Sequence, residues 1–304
     1  GEGYVERDLV GYGATPPEIV WPNGARLAVS VVVNFVEGAE LQAGDGDPTS
    51  ERMGEVISVV ASGTRDSGQE QIFAYGTRAG LWRFLGALER KAVPATFYFC
   101  GRAVERAPEL ARAAVDGGHE AACHGWQWRP NSDYQSQAEE AEALDRAIAA
   151  ITSATGERPR GFFCRGSESI WTRKLIVERG FVYTSNAFDD DLPYVTADFP
   201  ELVVVPYALD TNDMKFFHPN GFVRAAEFVE YVSDALAVML AEAERGKSGL
   251  LNIGLHLRIC GRPARFRAVE QILDLLDQHR ERVWLARRID IATHFRKTGC
   301  TPKR

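Results

Sequence analysis

Leu27 to Phe35 reads LAVSVVVNF, a β-branched apolar run bounded by Pro22, Asn23 and Gly24 before it and Gly38 after it. Such a run predicts a strand covered on both faces, the kind found in parallel sheets. The same rhythm continues outward. Arg78 to Arg90 places Leu81, Phe84, Leu85 and Leu88 at helical spacing, and Ala95 to Cys100 follows Pro94 as a second strand. Pro108 to Val115 is a helix ended by Gly117 and Gly118, and His119 to His124 a strand. Ser136 to Thr155 is a long helix, then Gly161 to Cys164 and Val182 to Asn186 are short strands flanking a helix over Trp171 to Arg179. Leu202 to Pro206 reads as a strand, Ala225 to Arg245 as a helix and Gly249 to Leu257 as a strand. Ala268 to His279 (helix), Val283 to Ala286 (strand) and Ile289 to Phe295 (helix) complete the order. Seven or eight strands alternating with helices imply a parallel sheet covered by helices. The expected fold class is α/β, a single distorted (β/α) barrel of about seven parallel strands. Residues 1–304 form one catalytic domain, with 1–25 as an N-terminal extension and 296–304 as a tail. In such folds the chemistry sits at the carboxyl ends of the strands.

Composition narrows the function classes. The 304 residues carry 35 Lys plus Arg against 42 Asp plus Glu, a net charge of −7, which argues against a general nucleic-acid or acidic-membrane surface. No apolar stretch approaches the ~20 residues that span a bilayer. No basic region precedes an apolar leader-like segment, so a cytoplasmic location is the simplest reading. Cys100, Cys123, Cys164, Cys260 and Cys300 are odd in number and form no Cys-x-x-Cys pair, which points neither to a disulfide framework nor to a cysteine zinc site.

The strand ends carry the polar residues. Asn34, Glu37, His124, Arg165, the Asp189–Asp191 run, Asp210–Asp213, His256 and Arg258 all fall there. Each has a plain structural alternative: Glu37 as a cap, His124 as a hydrogen-bonded support, Arg165 as a partner for Glu168 or Asp190, His256 as core. Their joint occurrence at successive strand ends favours a site. Phe35, Trp126, Trp128, Phe188, Tyr194, Phe216 and Phe217 are expected as pocket walls for a ring-shaped ligand. His119, His279 and His294 read as structural or surface residues, and His218 as a loop candidate.

These stretches form a pattern. Asn34-Phe-Val-Glu-Gly-Ala-Glu40, Tyr75-Gly-Thr-Arg-Ala-Gly80, His124-Gly-Trp-Gln-Trp128, Asp189 to Tyr194, Asp210 to Met214 and Gly254 to Arg265 follow one another, with Gly11-Tyr12-Gly13 near the start. The whole resembles the polysaccharide deacetylase (NodB-homology) superfamily, and within it the branch of allantoinase-like and cyclic-imide hydrolases. The resemblance implies a distorted (β/α) barrel and a homo-oligomer, dimer or tetramer. Superfamily deacetylases hold a divalent metal, such as zinc, with an Asp and two His and use a second Asp as base. Here Glu37 matches the metal Asp, Val36 the base, His124 the first His and Trp128 the second. Two matched ligands fall short of the usual three, so no metal cofactor is expected. If one is present, Glu37 and His124 would hold it, with a loop carboxylate or His218 as substitute. The branch is considered to work without metal. Val36, the turn Cys164 to Ser169, and Leu257 where relatives have proline alter the pocket and leave ring-amide opening as the expected chemistry.

The expected mechanism assigns Glu37 and His124 to the attacking water, Arg165 and turn amides to the oxyanion, and His256 to the leaving nitrogen. Asp190 would orient Arg165 or His256, Asn34 would bind a substrate carbonyl, and Arg258 or Arg262 an anionic substituent. The expected partner is a small-molecule substrate, with no nucleic acid and no membrane. Two alternatives are a metal-dependent N-deacetylase of an amino sugar and a non-catalytic protein that binds a small ring.

Overall fold

The computed structural model describes residues 6–299; the expected tail is helical as far as Lys297, and its residues from Cys300 onward lie outside the described ones. Among the described residues nine strands form one sheet: β1 (Leu27–Phe35), β2 (Ala95–Phe99), β3 (Glu120–Cys123), β4 (Gly161–Phe162), β5 (Tyr183–Thr184), β6 (Tyr194–Val195), β7 (Val203–Val204), β8 (Gly249–His256) and β9 (Val283–Leu285). The helices are α1 (Ser67–Tyr75), α2 (Leu81–Lys91), α3 (Gly101–Arg106), α4 (Pro108–Asp116), α5 (Gln137–Thr155), α6 (Thr172–Glu178), α7 (Ala225–Glu244), α8 (Pro263–Gln278) and α9 (Arg288–Lys297).

The sheet order is β6-β7-β5-β4-β3-β2-β1-β8, with β9 beside the first half of β1. Every pair is parallel except β6 with β7. The sheet curls into a half-barrel. Its gap is bridged by irregular chain: Leu250 N–H donates to Asp191 O at 2.8 Å, and Asn212 pairs with Gly254 as an isolated parallel bridge.

β1 is buried along its whole length because both of its faces are covered. Leu27, Val29, Val31, Val33 and Phe35 belong to the cluster under the helices. Ala28 and Val32 belong to the interior cluster with Tyr98, Phe163, Tyr183 and Tyr207. The two-residue period of the strand sorts them. The same period sends Asn34 inward and Phe35 outward.

The expected N-terminal extension is partly core. Ile19 and Trp21 are buried in the interior cluster, and Trp21 Nε1 donates to Gly249 O at 3.2 Å. Three elements were not anticipated. Helices α1 and α3 are short, and β6 is a two-residue antiparallel strand whose pairing depends on a distant partner. Between α1 and α2, Gly76–Gly80 forms a single π-helical turn.

Candidate active site

The site is built from β1 and β8, which lie side by side with Asn34 opposite His256. One turn beyond β1, Glu37 is buried, and one turn beyond β8, so is Arg258. Glu37 Oε2 accepts the Arg258 backbone N–H at 3.0 Å and faces its Nη1 at 3.4 Å, while Oε1 accepts Val36 N–H at 3.0 Å. The Arg258 guanidinium stacks over Phe73 at 4.2 Å and lies 5.0 Å from the Trp128 ring.

This junction explains two glycines of the Tyr75 to Gly80 stretch. A Cβ on Gly76 would lie 2.8 Å from Arg258 N and 3.0 Å from Glu37 Cγ. One on Gly80 would lie 2.3 Å from Leu257 O. The π turn passes flush against the β8 turn only because those side chains are missing.

Also beside Trp128 stands a histidine–carboxylate pair. His256 Nδ1 is 2.7 Å from Asp213 Oδ1, and Asp213 Oδ2 accepts the His256 backbone N–H at 2.7 Å. A carboxyl oxygen facing Nδ1 makes that nitrogen the donor and leaves Nε2 toward the site. Trp128 lies 6.3 Å from His256, ring centre to ring centre. The second imidazole, His124, faces Phe163 O through Nδ1 at 2.5 Å and stacks on the Phe163 ring. A carbonyl can only accept, so Nδ1 carries the proton and Nε2 is a lone-pair acceptor. Burial pushes the His124 imidazole down to about 3, and the Arg165 guanidinium nearby lowers it in the same direction. It is neutral throughout the physiological range.

The Arg165 guanidinium stacks over the Trp128 ring, 3.8 Å from its centre, and its fork grips Glu51, Nη1 to Oε2 at 2.8 Å and Nη2 to Oε1 at 3.3 Å. The turn that carries it is clamped by Asn186, whose Oδ1 accepts Cys164 N–H at 2.8 Å and whose Nδ2 donates to Cys164 O at 3.0 Å.

Several expectations need correction. Phe35 is not pocket wall: it packs among the helices against Phe99. Trp126 also turns away, with the Arg146 guanidinium 4.0 Å above it. Asp190 does not orient the catalytic groups; it caps its own turn by accepting Asp191 and Leu192 N–H, and Asp213 and Glu51 hold the places expected for it. The Asn34 amide donates to Leu255 O and Tyr207 Oη, so its donor is spent inside the barrel, and only Oδ1 is without a partner. Glu37 is committed to Arg258 rather than free to hold water. Arg262 stacks 3.6 Å over Tyr75, away from the histidines, beside Glu55. Phe188 is half exposed on the wall of an outer cleft of about 1400 Å³ that also takes in Asp189 to Asp191. His119, expected to be structural, accepts Ala95 N–H at 3.0 Å.

Trp128, His124, His256, Arg165 and Arg258 are brought together. Asp213 was among the strand-end residues but was given no role, and Glu51 was missed. An acid at the end of the segment that bridges to β8 was a usable signal for Asp213. Glu51 sits in a long loop with no periodicity, and nothing local marks it.

The donor set does not fit a tightly held divalent metal. Among the described residues no group of three or more His, Cys, Asp or Glu could hold an ion. Glu37 already faces a buried guanidinium, and Trp128 stands where a second imidazole would be needed.

The parallel half-barrel, with its paired histidines at the strand ends, defines a class. The chain belongs to the polysaccharide deacetylase family, and it is a hydrolase of carbon–nitrogen bonds. The family model described as polysaccharide deacetylase matches residues 64–179. A protein of Schizosaccharomyces pombe named "Putative polysaccharide deacetylase" is 32% identical, over 95% of this chain and 96% of its own length. The crystal structure of a "probable Polysaccharide deacetylase" from Pseudomonas aeruginosa PAO1 is 41% identical with a TM-score of 0.89, covering 96% of this chain and 98% of that one. The crystal structure of PuuE allantoinase is 40% identical with a TM-score of 0.91, covering 97% of this chain and 98% of that one. The last similarity matches the allantoinase-like branch. No helix among the described residues is long and apolar enough to cross a membrane.

Proposed function

We propose that this protein opens a small cyclic amide or imide of the allantoin, hydantoin or succinimide kind, and does so without a tightly bound metal. The observation that carries the reading is the His256–Asp213 pair beside Trp128. Nε2 of His256 takes a proton from water as its oxygen bonds to the ring carbonyl carbon. His124 Nε2, neutral and fixed by Phe163 O, accepts the water's other hydrogen and aims it. The oxyanion is met by backbone amides of the turn that carries Arg165. When the C–N bond breaks, His256 returns its proton to the leaving nitrogen, giving an opened chain and a carboxylic acid that releases its remaining proton to solvent as the carboxylate. An imide carbonyl is more electrophilic than a simple amide carbonyl, which suits it to attack without a Lewis acid.

The test is a panel of hydantoins, succinimides and dihydropyrimidines incubated with wild type and His256→Ala. Ring opening that disappears in the variant supports the reading. Binding without turnover across the panel favours a non-catalytic ring-binding protein. A second reading, deacetylation of an N-acetylated amino sugar, draws on the names of the relatives and on the long outer cleft of about 1400 Å³. Acetate release from N-acetylglucosamine oligomers would favour it.

The chain acts as one catalytic domain in this proposal. Homo-oligomerisation is supported by the exposed apolar side chains of Leu209, Val223 and Tyr231, gathered around Asp210 and Phe222. A cytoplasmic location is supported by the free, buried thiols of Cys100, Cys123, Cys164 and Cys260.

A further inference from the structure

The loop between β1 and α1 crosses the rim of the site and is held there by charge rather than by packing. Val56, Ile57 and Val59 point to solvent, and residues 61–65 are exposed throughout. Its inward attachments are ionic or polar. Glu51 enters the Arg165 fork, Glu55 pairs with Arg265 and lies 3.8 Å from Arg262, and Met53 O accepts from Gln69 Nε2. A segment with few buried apolar contacts belongs to the low-stability end of a structure, and partly exposed ion pairs add little to it.

Glu51 stands out among these attachments. Its carboxylate is mostly buried, both of its oxygens face the two terminal nitrogens of Arg165, and that guanidinium lies on Trp128. Arg165 lies over the Trp128 ring, whose centre is 6.3 Å from that of His256, and is therefore shaped and placed to receive a carboxylate there. In the state described here a residue of the chain itself fills that place.

We propose that Glu51 is a built-in occupant of an anion subsite on Arg165, and that the substrate is a ring bearing a carboxylate that replaces it. Exchange of one carboxylate for another costs no net ion pair, so the substrate frees the 51–65 loop as it binds. A neutral ring makes no such exchange and binds with the Glu51–Arg165 pair in place. Specificity for an anionic ring thus resides in the competition between Glu51 and the substrate for one guanidinium. This rests on the ring-hydrolase reading for the word substrate, while the subsite itself is read by binding.

Dihydroorotate and dihydrouracil are the same ring with and without a carboxylate. Their affinities are measured by calorimetry in a His256→Ala background that blocks turnover, with Glu51 intact or changed to Gln or Asp. Glu51→Gln is expected to tighten dihydroorotate about tenfold and leave dihydrouracil unchanged, while Glu51→Asp stays near the parent. Hydrogen exchange of residues 51–65, measured in otherwise wild-type protein, rises in Glu51→Gln. Equal affinity for dihydroorotate with and without Glu51, no binding of it to either protein, or unchanged loop exchange overturns the proposal. If the binding contrast holds and no ring is ever opened, the hydrolase reading fails and the anion subsite stands. If rings are opened and Glu51→Gln changes nothing, the subsite alone fails.

Discussion

His256 Nδ1 lies 2.7 Å from Asp213 Oδ1, and the second oxygen of that carboxylate is hydrogen-bonded to the backbone N–H of the same histidine. One side chain therefore sets both the tautomer and the ring orientation. His256 comes from β8 and Asp213 from the irregular segment that bridges the open side of the barrel. Closing the half-barrel and arming the imidazole are the same structural event.

Asp213→Asn replaces an acceptor that faces Nδ1 with an amide that can donate to it, freeing the opposite tautomer. We expect kcat to fall by about 10²–10⁴, the usual range for a lost general base, with KM little changed. Steady-state kinetics on whichever ring is opened checks this. A near-wild-type kcat would remove the pair from the mechanism.

Glu37 and Arg258 form a buried ion pair with both side chains out of solvent. Removing one partner of such a pair typically costs about 3–5 kcal/mol, because the other charge is left desolvated. Glu37→Gln should lower the urea midpoint strongly, and Glu37→Gln with Arg258→Met should recover much of the loss. Additive effects in the double variant would show that the two do not act as a pair.

Glu40 lies in a cavity of about 380 Å³ behind Glu37, where burial raises its carboxyl to about 7. A folded pKa above the unfolded one contributes stability that is complete below about 4.5 and is lost as pH rises through 7. Glu40→Gln should therefore match wild type near pH 4.5 and be more stable at pH 8, by up to about 3 kcal/mol. Thermal melts at the two pH values decide it; a variant less stable at pH 8 would contradict the assignment.

The buried histidines work in the opposite direction. Burial lowers His119 to about 4 and His124 to about 3, so both are neutral when folded and take up a proton on unfolding below their ordinary value of 6.5. Their contribution is present above pH 6.5 and declines as pH falls toward those values, by up to about 1.4 kcal/mol per pH unit for each group. His119→Asn retains an acceptor for Ala95 N–H and should narrow its gap to wild type between pH 7 and pH 5. A constant gap in urea unfolding over that range would show that His119 does not titrate as described.

Because Glu37 faces Arg258 and Trp128 cannot ligate, dialysis against a chelator should leave turnover unchanged, and added zinc should not raise it. Loss of activity on chelation, restored by zinc, would overturn the metal-free part of the proposed function.

Much of the architecture was legible in local pattern. The Leu27 to Phe35 run, the helix over residues 225–245 and the strand over residues 249–257 have periods long enough to identify, and each appears within a residue or so of its expected bounds. β4 to β7 were harder. Two residues carry no period, and what makes β6 a strand is Val203 and Val204 beside it. Among site residues, the strand-end placement of His124, Arg165, His256 and Arg258 could be read, because a polar group after an apolar strand emerges at the sheet's edge. Their partners could not. Glu37 finds Arg258 across 221 positions and Arg165 finds Glu51 across 114.

By itself the sequence determined the alternation of strands and helices, the end of the sheet where the polar groups gather, and the absence of a second imidazole at position 128. Those follow from residue type and short-range period, which act within a few neighbours of each residue. Tertiary structure alone decided who pairs with whom. The parallel register of β1 and β8 places Asn34 opposite His256 and carries Glu37 under Arg258, so a carboxylate that reads as a base becomes the counter-ion of a buried arginine. A difference of one residue in that register would have exchanged the inward and outward faces, and no local pattern specifies a register between strands some two hundred residues apart.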